Sequence, residues 1–120
     1  MKILVVDDDP GIRRFFTDMV KSLYPDAVFS SATNGDLGWA MVENAGDKFD
    51  LVITGVEMPG IDGIKLTGLI KHHCKETRII LISGTPKQPK HEADLFLAQP
   101  VRVADILPMV RRLMETQLAD

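Results

Sequence analysis

Two adjacent carboxylates, Asp7 and Asp8, directly follow the first apolar run of the chain, residues 3–6. Proteins usually hold Mg²⁺ through one or two carboxylates together with water. The next residue, Asp9, is placed to cap a helix that has Pro10 at its first position. Capping and turn formation therefore do not require Asp7 and Asp8, and the pair indicates a divalent metal site at the end of a strand.

The second candidate site is the stretch 50–63, in which the apolar run of residues 51–53 breaks into the turn signals of residues 58–63. A short β-branched run of this kind is typical of a strand that is covered on both faces. In an open α/β sheet, ligands bind where a central strand ends and its loop begins. Here that point is Gly55, which has no side chain and therefore offers no nucleophile.

Segments of strand-like and helical apolar spacing alternate along the whole chain. Helical spacing follows Pro10, with an apolar face that includes Phe15 and Phe16. This alternation predicts an α/β fold in one domain, residues 1–120, with a parallel sheet and helices on both of its faces. The predicted strands are residues 3–6, 27–32, 51–55, 78–83 and 95–98, and the predicted helices are 10–23, 36–44, 64–74 and one from residue 103.

The composition excludes several classes of protein. Charged residues are 26% and hydrophobic residues 45%, which is an ordinary globular balance. A formal net charge of −3 argues against nucleic-acid binding. No apolar run approaches the about 20 residues of a membrane span, and the start is too short for a signal peptide. The single Cys74 suits a reducing compartment, so we expect a cytoplasmic protein.

Four pieces of the sequence, taken in order, resemble the receiver domain of two-component response regulators. They are residues 3–10, residues 50–53 with 58–63, residues 80–84, and residues 96–100. Together they extend over almost the whole chain. The resemblance implies a flavodoxin-like doubly wound sheet of five parallel strands in the order 2-1-3-4-5.

The resemblance also implies roles for individual residues. The acid pair that holds Mg²⁺ in that family is matched by Asp7 and Asp8, with the backbone carbonyl of Glu57 as a further ligand. The hydroxyl that bonds the phosphoryl oxygen is matched by Ser83, and the cis-proline is matched by Pro100. We expect no enzymatic activity, no catalytic residue and no cofactor apart from weakly bound Mg²⁺.

Two positions depart from the family pattern. The phosphoacceptor aspartate is replaced by Gly55, and the lysine before the cis-proline is replaced by Gln99. Loss of one carboxylate together with one lysine leaves the formal charge of the pocket unchanged, which favours natural loss of both groups. The missing carboxylate also predicts weak Mg²⁺ binding.

The sequence therefore leaves two main hypotheses, beside a third in which the space left by Gly55 is a pocket for a small ligand. The first is a pseudo-receiver that is not phosphorylated at the usual site and binds a histidine kinase, a phosphotransfer protein or an output protein. The second is a conventional phosphoacceptor, either with an engineered Asp→Gly change or with a substitute acceptor, Glu57 or Ser83. Thr54 precedes Gly55, so strand alternation points it to the other side of the sheet.

The interval between the fourth and fifth strands, residues 84–94, contains two prolines and no apolar periodicity. It predicts that the fourth helix of the family fold is shortened or missing. We expect this to uncover Ile80, Ile82, Leu95 and Leu97, and to provide a homodimer contact through the face of the fourth and fifth strands. The three histidines, His72, His73 and His91, are predicted to lie in solvent.

Overall fold

A computed structural model of the chain describes residues 1–119, and it describes side chains through Glu115. Along this part of the chain, no helix combines the length and the apolar character needed to cross a membrane. Strands and helices alternate as the sequence predicts. The elements are β1 (Lys2–Val6), α1 (Pro10–Leu23), β2 (Val28–Ala32), α2 (Gly35–Glu43), β3 (Leu51–Gly55), α3 (Gly63–His73), β4 (Arg78–Ser83), β5 (Leu95–Ala98) and α4 (Val103–Ala119).

The five strands form one parallel sheet in the order β2-β1-β3-β4-β5, which confirms the predicted fold. All five residues of β3 are buried, as expected of a central strand. Alternate side chains point to opposite faces, so the sheet has two apolar cores. One core contains buried residues of α1 and α4, and the other contains buried residues of α2 and α3.

Three helices begin at side-chain caps. The carboxylate of Asp9 accepts a hydrogen bond from the Gly11 amide at 2.8 Å, with Pro10 in the first turn of α1. Asn34 caps α2 and Asp62 caps α3, each by accepting a backbone N–H three residues later at 2.8 Å. These caps fix the strand-to-helix turns at the carboxyl edge of the sheet, where the candidate site residues lie.

No helix connects β4 to β5, and an extended loop of residues 84–94 takes its place. Ala93 packs against the α2/α3 core, and the His91 ring stacks on Phe96 with 5.7 Å between ring centroids. His91 Nδ1 also accepts the Ala93 N–H at 3.0 Å. The predicted absence of the helix is confirmed, and the prediction that His91 lies free in solvent is wrong.

The end of this loop is anchored by Asp94. Its Oδ2 atom accepts the Ile79 N–H at 2.8 Å and lies 2.7 Å from Lys71 Nζ. Lys71 in turn donates to the Thr77 carbonyl at 2.7 Å. One carboxylate therefore ties the start of β5 to both α3 and β4.

The expected uncovered patch on β4 and β5 is not present. Ile80 is 1% exposed, Ile82 4% and Leu97 7%, and Leu95 is partly buried. Their side chains point to the α1/α4 face, which keeps its helices. The loop that replaces the missing helix packs on the opposite face, where Ala93 lies against the core that contains Ile79. The observation that suggested a homodimer through these strands is therefore removed.

Candidate functional site

The carboxyl ends of the strands surround an acidic crevice with a volume of about 230 Å³. It lies beside β1 and β3, outside the strand ends where ligands bind in open α/β folds. Several sequence-predicted residues meet there: Asp7, Asp8, Gly55, Glu57 and Gln99. Its other lining residues are Asp9, Ile12, Val56, Ile82 and Gly84. The structure thus brings the acid pair and both departing positions into one cavity.

Asp7 lies between the start of α1 and the tip of β3. Its Oδ1 atom accepts the Asp9 N–H at 2.9 Å, and its backbone carbonyl accepts a hydrogen bond from Arg13 Nη1 at 2.7 Å. Burial raises the pKa of this carboxyl, and the negative charges of Asp8 and Asp9 raise it further. The Asp9 N–H acts in the opposite direction and lowers the pKa. The hydrogen bond from the Asp9 N–H therefore offsets only part of the cost of ionising Asp7.

Gly55 is the last residue of β3, and the space next to its Cα is filled by Asp7. A Cβ atom built on Gly55 would overlap Asp7 Oδ2. The backbone behind Gly55 is also tightly packed, since a Cβ atom on Gly63 would overlap the Gly55 carbonyl oxygen. A carboxylate of the acid pair therefore lies against the point where an acceptor side chain would begin, and it would have to move to admit one.

Ser83 and Gln99 lie at the ends of β4 and β5. Ser83 is 5% exposed, its Oγ atom accepts the Thr85 N–H at 3.1 Å, and it lies 3.3 Å from Thr85 Oγ1. The Gln99 N–H donates to the Ser83 carbonyl at 2.7 Å, and the Gln99–Pro100 peptide bond is cis, as the resemblance implies. Ser83 does not line the crevice, and its hydroxyl is bonded within its own loop.

The other hydroxyl and carboxyl groups differ in their access to the crevice. Thr54 is fully buried on the opposite face, where its hydroxyl donates to the Gly55 carbonyl at 3.0 Å, which confirms the expectation from strand alternation. Glu57 is exposed and lines the crevice. Glu57 is therefore the better placed of the two substitute acceptors, Glu57 and Ser83.

The donors available for a metal ion are few. Asp7 and Asp8 provide carboxylate oxygens, and the backbone carbonyl of Glu57 is a further oxygen of the kind that Mg²⁺ prefers. One oxygen of Asp7 is already bonded to the Asp9 N–H. Within residues 1–115, no group of three or more acidic, histidine or cysteine side chains is arranged to hold a metal. The donor set has the right chemistry for Mg²⁺ but is small.

An apolar groove adjoins the crevice, and it was not predicted from the sequence. It has a volume of about 460 Å³ and is lined by Ile12, Phe15, Gln99, Pro100 and Val101. Phe15 was expected in the core because it shares the helical spacing of Phe16, but it is 37% exposed. Apolar spacing alone could not identify it, because a helix face can be wider than the stripe that the sheet covers.

Comparison with known proteins gives one family. The family model of the response regulator receiver domain matches residues 3–111. The cyclic-nucleotide phosphodiesterase regA of Dictyostelium discoideum is 31% identical over 84% of the chain, which spans 14% of that protein. The two-component response regulator ARR22 of Arabidopsis thaliana is 26% identical, with 96% of the chain and 84% of ARR22 covered.

Solved structures agree with this assignment. The response regulator TrrA of Thermotoga maritima, solved in complex with Mg²⁺-BeF, is 28% identical with a TM-score of 0.80, covering 93% of this chain and 97% of TrrA. A CheY-like receiver of Methanospirillum hungatei has a TM-score of 0.85 at 21% identity, covering 98% and 96% of the two chains, and shows the same fold. The chain spans only about a seventh of the first curated relatives it matches. With the family model, the relatives and the sheet order in agreement, the chain belongs to the response regulator receiver domain family.

Proposed function

We propose that this chain is a pseudo-receiver, a binding module of a two-component or phosphorelay pathway that carries no phosphoryl group at the tip of β3. One observation supports this above all others. Gly55 has no side chain, and the Asp7 carboxylate fills the space that an acceptor side chain would occupy. An acyl phosphate at the tip of β3 needs a carboxylate on residue 55. The carboxylate that lies there belongs instead to Asp7, which follows β1.

The charges around the crevice support the same proposal. Phosphoryl transfer depends on cations that offset the charge of the transferred group. The lining residues include Asp7, Asp8, Asp9 and Glu57, and Gln99 is neutral. None of the residues that line the crevice is a lysine or an arginine. An incoming phosphoryl group would therefore meet carboxylates in a crevice that no lysine or arginine lines.

A Mg²⁺ ion would supply some of the missing positive charge when bound. Asp7, Asp8 and the Glu57 carbonyl would hold it, with water completing its coordination. The relative TrrA was solved with Mg²⁺-BeF, so a receiver of this family can bind that ion. Asp7 is partly engaged with the Asp9 N–H, and residues 1–115 contain no group of three or more side chains arranged to hold a metal. We therefore propose weak Mg²⁺ binding and no dependence of the fold on it.

The partners we propose are a histidine kinase, a phosphotransfer protein or an output protein, as befits a receiver domain. Without phosphorylation the module stays in one conformation, and it acts by binding its partner in that conformation. It is not an enzyme, and it contacts neither nucleic acid nor a membrane.

The alternative is a conventional phosphoacceptor that uses Glu57 or Ser83. Glu57 is the stronger candidate of the two, because it is exposed and lines the crevice, whereas Ser83 does not line it.

Intact-mass spectrometry after incubation with acetyl phosphate and Mg²⁺ tests the proposal. We expect no gain of a phosphoryl group, since the β3 tip has no acceptor. Any gain of a phosphoryl group would contradict the proposal. Hydroxylamine would remove the group from an acyl phosphate on Glu57 but not from a phosphate ester on Ser83. The variants E57Q and S83A, treated in parallel, would then identify the acceptor by loss of the added mass.

A further inference from the structure

The loop of residues 84–94 is held against the sheet by the side chain of His91. The ring of His91 stacks on Phe96, with 5.7 Å between ring centroids and 18° between ring planes. Its Nδ1 atom accepts the Ala93 N–H at 3.0 Å, and its Nε2 atom lies 2.7 Å from the side-chain amide of Gln88. One imidazole therefore contacts β5, the turn before β5 and the middle of the loop.

These contacts determine the protonation state of the ring. A backbone N–H can only donate, so Nδ1 of His91 carries no proton, and the neutral imidazole carries its proton on Nε2. That proton faces the side-chain amide of Gln88, which can accept it through its oxygen. The closed loop therefore fits the neutral form of His91 and not the protonated form.

Protonation of His91 would remove the acceptor of the Ala93 N–H. An imidazolium has an N–H at both ring nitrogens, so Nδ1 and the Ala93 amide would then be two donors facing each other. Ala93 is partly buried against the α2/α3 core, and a shielded N–H without an acceptor is costly. The closed loop is therefore favoured while the ring is neutral and loses this hydrogen bond as pH falls through the range of about 8 to 5, in which histidine takes up its proton.

The charged groups around the loop do not hold a protonated ring in the closed position. They are Lys71, Arg78, Lys87, Lys90, Glu92 and Asp94. The carboxylate of Glu92 is directed at α3, where its Oε2 atom would lie 2.9 Å from a Cβ atom on Gly68. The carboxylate of Asp94 is paired with the lysine of α3 and the arginine of β4. Along residues 1–115 no carboxylate lies within ion-pair distance of His91.

The two ends of the loop are held by groups other than His91. At its start, the Thr85 N–H donates to Ser83 Oγ at 3.1 Å. At its end, Asp94 accepts the Ile79 N–H at 2.8 Å. Loss of the imidazole contact would therefore release residues 86–93 and leave both strands in place.

The ring of Phe96 lies beneath His91 on the face of β5 that has no covering helix. Leu95 and Leu97 pack on the α1/α4 face, so strand alternation places Phe96 on the opposite face. Leu81 is its neighbour in the register of β4 and β5. Release of the loop would therefore uncover an aromatic ring at the edge of the sheet.

We propose that His91 makes the loop of residues 86–93 a pH-dependent cover, which is closed over Phe96 when the imidazole is neutral and opens when it is protonated. The change is local, because the sheet, the four helices and the acidic crevice keep their arrangement. It needs no phosphoryl group and goes beyond the proposed function, which holds whether or not the loop opens.

NMR spectroscopy of the full chain between about pH 8 and pH 5 tests the proposal. We expect the ring nitrogen signals of His91 to show a proton on Nε2 alone at the upper limit, and the Ala93 amide to shift with the same midpoint as the ring. Protection of that amide against hydrogen exchange, corrected for the intrinsic pH dependence, should fall about tenfold at the lower limit. The amides of the buried strand β3 are the internal reference and should not follow the ring.

Three variants identify the group that is responsible. H91N does not titrate and keeps a side-chain oxygen that can accept the N–H two residues later, so Ala93 should stay protected at every pH. H91F keeps a ring to stack on Phe96 but has no acceptor, so Ala93 should be poorly protected at every pH. H72N is the matched control, since His72 is an exposed histidine of α3, and it should keep the pH response of the parent chain.

An Ala93 amide that is unprotected at about pH 8, or equally protected at both limits, would overturn the proposal. A proton on Nδ1 of His91 at the upper limit would overturn it too. The same holds if H91N keeps the pH response, if H91F protects Ala93 as the parent chain does, or if H72N abolishes the response. The proposed function is judged separately by acetyl phosphate labelling, which none of these outcomes affects.

Discussion

Asp7 Oδ2 lies so close to Gly55 that a Cβ atom added there would overlap it. The two residues lie at the ends of neighbouring strands, since β1 pairs with β3 in the sheet. The Asp7 carboxylate therefore lies in space that a side chain at position 55 would need, and it would have to move to admit a carboxylate there. This relationship governs how the crevice responds to substitution.

The first prediction compares two glycines. In G55A the new methyl group meets the mobile end of Asp7, which can rotate away, so we expect the free energy of unfolding to change by less than about 1 kcal/mol. In G63A the methyl group meets the backbone carbonyl of Gly55, which cannot move without shifting β3. We expect a loss of about 3 kcal/mol for G63A. Urea denaturation measures both values, and equal losses would contradict the packing described for the β3 tip.

The second prediction concerns restoration of the acceptor. The double variant G55D/Q99K replaces both departing positions, and the new aspartate displaces the Asp7 carboxylate from the gap. We expect acetyl phosphate and Mg²⁺ to add one phosphoryl group to this variant, labile to hydroxylamine, whereas Q99K alone stays unlabelled because it has no acceptor. Intact mass measures both outcomes.

Circular dichroism provides the control for that experiment, since an unfolded variant would also remain unlabelled. A folded G55D/Q99K protein without added mass would show that the loop after β3, or the Ser83 hydroxyl bonded to Thr85, no longer supports transfer.

Much of the fold could be predicted from periodicity, because β3 is buried on both faces and the apolar runs alternate with helical spacing. The two departures from the family pattern, Gly55 and Gln99, could be identified from the sequence alone, because they depend on which residue is present and not on what it contacts. The direction of the Asp7 side chain could not be predicted, because its rotamer depends on neighbours that are far away in the sequence. The prolines of residues 84–94 predicted that a full helix is absent there, but the path of the loop could not be predicted, since polar contacts of His91 and Asp94 hold it rather than an apolar pattern.

The third prediction uses the raised pKa of Asp7. Since folding favours the protonated form, the stability that Asp7 contributes is fully present below its unfolded pKa, about 3.9, and is lost as pH rises through the higher pKa of the folded state. D7N stays neutral at every pH and keeps an oxygen for the Asp9 N–H. We therefore expect D7N to gain stability relative to the parent chain as pH rises from about 3 to 7. Denaturation in metal-free buffer across that range measures the difference, and parallel profiles would contradict the assigned burial of Asp7.

The fourth prediction concerns the anchor of the loop that replaces a helix. D94A removes the carboxylate that accepts the Ile79 N–H and pairs with Lys71, groups that are mostly shielded from water. We expect a loss of about 2 kcal/mol in the free energy of unfolding, and faster hydrogen exchange at the amides of residues 84–94. The control is D18A, which breaks the Arg14–Asp18 pair, whose side chains are 85% and 67% exposed. It should cost less than about 0.5 kcal/mol and leave the loop unchanged. If D94A were as mild as D18A, the covering of β4 and β5 would depend on the apolar contacts of Ala93 and Phe96 rather than on this carboxylate.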